Sequence, residues 1–171
     1  MTTRSSRPLV PQTLQSLLAA CPDVHTAAPV ILCIGTDRII GDCLGPMVGS
    51  LLVKEAGSRL PVYGTLQNPV HALNLEEINS RIKREHPGRT TIAVDASLGD
   101  PDEVGSVYVC TGGLYPGAGV SKSLPPSGDI SITGIAAPQS RQPYLALQTA
   151  RLSTIASMAD TICGCLLSLC R

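Results

Sequence analysis

The sequence predicts an α/β fold in which a mostly parallel sheet is packed between helices. Short, β-branched apolar runs recur, at Val30 to Ile34 and Thr90 to Val94, each ending on a glycine or an acid. Segments with helical apolar spacing lie between them. That alternation requires crossover helices joining parallel strands, which makes an α/β sandwich. A chain of 171 residues fits one domain. The polar, proline-containing start, about residues 1–11, reads as a disordered extension.

The elements follow in order. Gln12 to Cys21 carries Leu14, Leu17 and Leu18 at the spacing of a short amphipathic helix. Val30 to Ile34 reads as a buried strand closed by Gly35. After GTDRIIGD, Leu44 to Gly57 places Leu44, Val48, Leu51 and Leu52 on one helical face, with Asp42 where an N-cap would sit. Leu60 to Leu66 reads as a second strand, and LEEINSRIKREH as a charged helix ending at Pro87-Gly88. Thr90 to Val94 is the next strand, ended by Asp95. Val104 to Cys110 and Asp129 to Ile135 are further strands flanking the loop GGLYPGAGV, and Pro143 to Cys170 is one helix or two in tandem.

Composition narrows the function. Thirteen basic residues balance thirteen acidic ones, so the electrostatic footprint of nucleic-acid binding is missing. Four Tyr, with no Trp or Phe, leave almost no stacking platform. Seven cysteines at irregular spacing, without a CxxC pair, fit neither a disulfide scaffold nor structural zinc. The N-terminus lacks the apolar core of a signal peptide, which places the chain in the cytoplasm. Leu152 to Cys170 is interrupted by Asp160 and reads as a packed helix rather than a membrane span, although an apolar helix also permits homo-oligomers.

Ligands of open α/β sheets bind beyond the carboxyl ends of the strands, where Asp42 and Asp95 both fall. If their strands are neighbours, two such carboxylates cannot both ionise, and one holds a proton for acid/base chemistry. The same pair suits a divalent metal. The structural alternatives are a helix cap for Asp42 and turn amides for Asp95. Asp37 shares the first loop, either paired with Arg38 on the surface or facing substrate. His71, in NPVHALN, follows the second strand as a rim base, a metal ligand or a hydrogen-bonded loop residue. Cys43 lies near a helix start that would lower a thiol pKa, but no histidine is visibly paired with it. Neither GxxxxGK[ST] nor GxGxxG occurs, so the glycines around Gly117 and Gly119, with Lys122, suit close approach to an extended chain better than a nucleotide phosphate.

Taken together, ILCIGTDRIIGDCLGPMVG, NPVHALNL, AVDASLG and PGAGVSKSLPPSGDISITG resemble the YyaC-type sporulation proteins of endospore-forming bacteria, from Val30 to the C-terminus. That family is similar to the spore germination protease and, more distantly, to hydrogenase maturation peptidases. The resemblance implies a phosphorylase/hydrolase-like three-layer α/β/α sandwich. Asp42 in DCLGP matches the catalytic aspartate of a DALGP motif, and Asp95 in DASL that of a DALA motif. GLYPGAGV matches a GIHPGSGV loop with Tyr115 at the histidine position, so one ligand of the maturation peptidases' nickel is replaced. No cofactor is therefore expected, with a divalent metal as the alternative. The implied activity is a sporulation-associated peptidase using an aspartate pair. Its partners would be peptides or proteins, small acid-soluble spore proteins among them, with Asp37, His71, Gly117, Gly119 and Lys122 positioning substrate. The alternatives are a catalytically silent peptide-binding protein and a metal-dependent maturation-type peptidase.

Overall fold

In β2 (Val30–Cys33) every residue is buried, because alternate side chains enter two different cores. Ile31 and Cys33 face α1 (Pro11–Ala19), α2 (Leu44–Ala56) and α5 (Leu152–Leu167), packing with Leu14, Val48, Leu52, Ile155 and Ile162. Val30 and Leu32 face α3 (Leu75–Glu85), where Leu75 and Ile82 are buried. The result is a three-layer α/β/α sandwich, as the sequence predicts. These are features of a computed structural model that describes residues 7–8, 10–19, 28–114 and 126–170.

The described sheet has six strands. β1 (Arg7–Pro8), β3 (Val62–Tyr63), β4 (Thr91–Gly99), β5 (Val107–Thr111) and β6 (Ile130–Pro138) join β2 in the order β1-β5-β6-β4-β2-β3. The β3, β2, β4 and β6 pairings are parallel, and β5 and β1 are added antiparallel. From β2 the chain passes through α2 to β3 on one side, then returns through α3 to β4 on the other. That reversal makes the carboxyl ends of β2 and β4 a topological switch point, where a crevice opens.

Two elements depart from the sequence expectation. β4 runs through Asp95 to Gly99, because β6 pairs with it along that length and sets Thr133 opposite Asp95. The strand expected over Leu60 to Leu66 is reduced to Val62–Tyr63: Gly64 turns with φ 93°, and the Thr65 amide donates to the Asn68 carbonyl. The C-terminal stretch takes the tandem form of the expectation, α4 (Pro143–Gln148) and α5 with a break at Thr149 to Arg151. Among the described residues no helix is long and apolar enough to cross a membrane.

Two glycines let α2 rest on the end of β2. Gly35 has φ 142°, and a Cβ there would fall on the Asp42 carbonyl oxygen. A Cβ at Gly45 would fall on the Ile34 carbonyl oxygen. Gly35→Ala therefore combines a strained backbone with a clash against main chain, and is expected to cost at least about 2 kcal/mol of stability. A urea melt checks it; an unchanged midpoint would mean that the loop relaxes freely.

Candidate active site

The end of β2 gathers the site. The Ile34 amide donates to the Val94 carbonyl at 2.7 Å, and the Gly35 amide donates to the Val70 carbonyl at 2.8 Å. The residues that follow those two carbonyls are Asp95 and His71. The loop leaving Gly35 then returns to the strand end carrying Asp42.

Asp42 lies in a 3-10 turn, Gly41–Cys43, that leads into α2. The sequence places it as the helix N-cap, but Cys43 takes that position and no side chain caps the helix. The Asp42 carboxylate turns back instead: the Thr36 amide donates to Oδ2 at 3.0 Å and to the Asp42 carbonyl at 3.1 Å. The seven residues from Thr36 to Asp42 are thus closed into a tight loop. Burial raises the Asp42 pKa, while the Thr36 amide and the nearby His71 oppose that rise.

Asp95 is partly buried in the middle of the β4–β6 ladder. Neighbouring Ile92 and Val94 enter the α2/α5 core, so strand alternation directs Asp95 to the opposite, α3-side face, beside Thr133. Its Oδ1 accepts from the Ala96 amide at 2.8 Å. Burial first, and the Asp42 charge second, push its carboxyl well above the usual carboxylate range, against that single amide. Asp42 and Asp95 therefore lie within electrostatic reach of each other and form a coupled pair in which Asp95 holds the proton longer.

His71 completes the rim. Its amide donates to Asn74 Oδ1 at 2.8 Å, the Asn74 Nδ2 donates to the Pro69 carbonyl at 3.1 Å, and the Leu73 amide donates to His71 Nδ1 at 3.3 Å.

Not every expected residue joins the group. Asp37 is exposed on the turn, and it does not pair with Arg38, because the one close ion pair among the described residues is Arg81 with Glu85. The Cys43 thiol is not activated by its helix: it donates to the Ile40 carbonyl at 2.9 Å, and burial raises its pKa. Cys33, Cys43, Cys163 and Cys165 are free and buried as small apolar groups. Tyr115, Gly117, Gly119 and Lys122 lie outside the described residues. Among the described residues no three His, Cys, Asp or Glu side chains lie close enough to hold a metal ion. Thr36, Asn74 and Thr133 were not singled out from sequence. Asn74 carries a turn signal three residues after His71, whereas the Thr133–Asp95 pairing depends on strand register that no local pattern reveals.

The fold and site define an α/β/α-sandwich protein with a coupled aspartate pair at its switch point. The chain belongs to a family described as a protein of unknown function, DUF1256, whose model matches residues 4–165. It is 45% identical over 150 residues to the uncharacterized protein YyaC of Bacillus subtilis (strain 168), covering 87% of this chain and 73% of that protein.

A buried, proton-holding acid has a stability signature. The unfolded Asp95 titrates near 3.9, and its folded pKa is higher, so its contribution is fully present below about pH 4 and is lost as pH rises toward the folded pKa. Asp95→Asn removes that loss. Its melting temperature should exceed that of the native chain by several degrees near neutral pH, with the gap closing at about pH 3.5. A gap independent of pH would contradict the raised carboxyl.

Proposed function

We propose that the chain is a hydrolase of the peptidase type, in which Asp42 and Asp95 activate a water for attack on a peptide carbonyl. The observation carrying this reading is the pair of acids gathered beside the end of β2, Asp42 on the turn before α2 and Asp95 within the neighbouring strand β4, with the Asp95 carboxyl driven well above its ordinary pKa and the rise of Asp42 opposed by an amide and a histidine. The resemblance of DCLGP and DASL to the aspartate motifs of the germination protease points the same way.

The chemistry follows from that asymmetry. Asp42, with Thr36 and His71 favouring its charged form, is the general base that takes a proton from water. Asp95 retains its proton and donates to the developing oxyanion. The tetrahedral intermediate collapses when the proton held by Asp42 passes to the leaving amine, the C–N bond breaks, and a hydroxyl proton of the intermediate returns to Asp95 as the carboxylic acid forms. Activity should then follow a bell-shaped pH profile, lost at low pH as Asp42 protonates and at high pH as Asp95 ionises.

Small acid-soluble spore proteins are the first substrates to test. The native chain and its Asp42→Asn form are incubated with an acid-soluble spore extract, and new peptide termini are read by mass spectrometry. The native chain should produce termini, and Asp42→Asn should slow their release about 10²- to 10⁴-fold. Equal cleavage by both forms would remove Asp42 from the mechanism. Cleavage by neither folded form would favour peptide binding without turnover, a reading consistent with the Thr36 amide already holding one Asp42 oxygen.

A further inference from the structure

An open cleft of about 750 Å³ lies along β3, lined by Val62, Tyr63, His71, Asn74, Ile78 and Arg81 among others. We propose that this cleft binds an extended peptide bearing an acidic side chain, added as a strand to the edge of the sheet and leading past His71 into the aspartate pair. The proposal deepens the peptidase reading by giving the site its substrate-binding groove and charge preference.

The backbone supplies the first argument. Among the described residues β3 is the last strand on its side and pairs only with β2. The Ile31 amide donates to the Pro61 carbonyl, and Ile31 stands opposite Val62. In a parallel pair this register directs the Pro61 and Tyr63 groups toward β2, and leaves the Val62 N–H and C=O pointing away from the sheet. One donor and one acceptor on the same residue are what an incoming antiparallel strand exchanges. A compact ligand does not need that spacing.

The walls supply the second. Val62 and Ile78 give the cleft an apolar side, and the exposed Leu73 stands beside His71. The charged side chain lining it is Arg81, accompanied by the His71 ring and the Tyr63 phenol. Arg81 is half exposed and stacks 5.7 Å from the Tyr63 ring centroid; its Nε is held by Glu85 at 2.8 Å, while the terminal guanidinium nitrogens are left for a ligand carboxylate. Tyr63 itself is fixed by hydrogen bonds to Glu85 and His86.

Continuity supplies the third. His71 lines the cleft and also lies near enough to Asp42 to act on it electrostatically, so the cleft and the aspartate site meet at that residue.

The test reads binding alone, so that it stands apart from turnover. Full-length chain carrying Asp95→Asn is titrated with a fluorescent octapeptide alternating Val and Glu, and with its Val/Lys counterpart, while amide hydrogen exchange is followed at Val62. The acidic probe should bind about tenfold tighter than the basic one and slow exchange at Val62. Val62→Pro, which takes away the outward N–H together with the valine side chain, should weaken binding about fivefold. The exposed substitution Arg81→Gln, which spares the core if Val62→Pro proves unstable in a melt, should bring the two probes within about twofold of each other. Unchanged exchange at Val62 with probe in excess, equal affinity for both probes, or Val62 protection that follows protein concentration instead of peptide, as in a dimer, would overturn the groove. Binding without cleavage by the native chain would leave the groove standing and remove the peptidase.

Discussion

The contact on which the site depends is between the first turn of α2 and the last residues of β2. Gly45 lets the helix backbone settle on the Ile34 carbonyl, and Gly35 turns the chain under the Asp42 carbonyl. The Thr36 amide then closes the loop on both the carboxylate and the carbonyl of Asp42. Larger side chains at either glycine would lift the helix from the strand and carry Asp42 away from Asp95. The same strand end holds its two neighbours in register, Val94 on one side and Val70 on the other. A single short segment therefore fixes the positions of both acids and of His71.

This placement also sets the electrostatics. The two carboxylates sit where strands and helices exclude much of the water, so burial raises both, and the Asp42 charge raises Asp95 further. Polar support is unequal: Asp42 has the Thr36 amide and the field of His71, while Asp95 has only the Ala96 amide. That inequality leaves Asp95 the carboxyl that keeps its proton to higher pH. A burial-raised carboxyl reduces stability at neutral pH, a cost characteristic of sites retained for chemistry rather than for folding.

Much of this was legible in the sequence, because local physics dictates it. Unbroken apolar runs can only be strands buried on both faces, so Val30–Cys33 and the start of β4 were evident, as was α3 from its charged, amphipathic pattern. Both aspartates were legible because Asp95 follows a buried apolar run and Asp42 closes the loop after another. What escaped is non-local. The length of β4 depends on β6, 38 residues further along, so Asp95 appeared to end a strand that in fact continues beneath it. The capping role expected of Asp42 failed because the Thr36 amide, six residues earlier, holds the carboxylate in the loop. Cys43 seemed primed by a helix end, yet its burial outweighs the dipole. The groove along β3 depends on strand order and on α3 packing beside it, which no linear pattern contains.

The most direct test of the coupled pair is a carboxyl carbon-13 NMR titration of Asp95 in the native chain and in Asp42→Asn. In the native chain Asp95 should titrate well above the ordinary aspartate value of about 3.9, and Asp42→Asn should lower it while leaving it elevated by burial. An Asp95 that titrates at the ordinary value, or one indifferent to the loss of the Asp42 charge, would contradict the account.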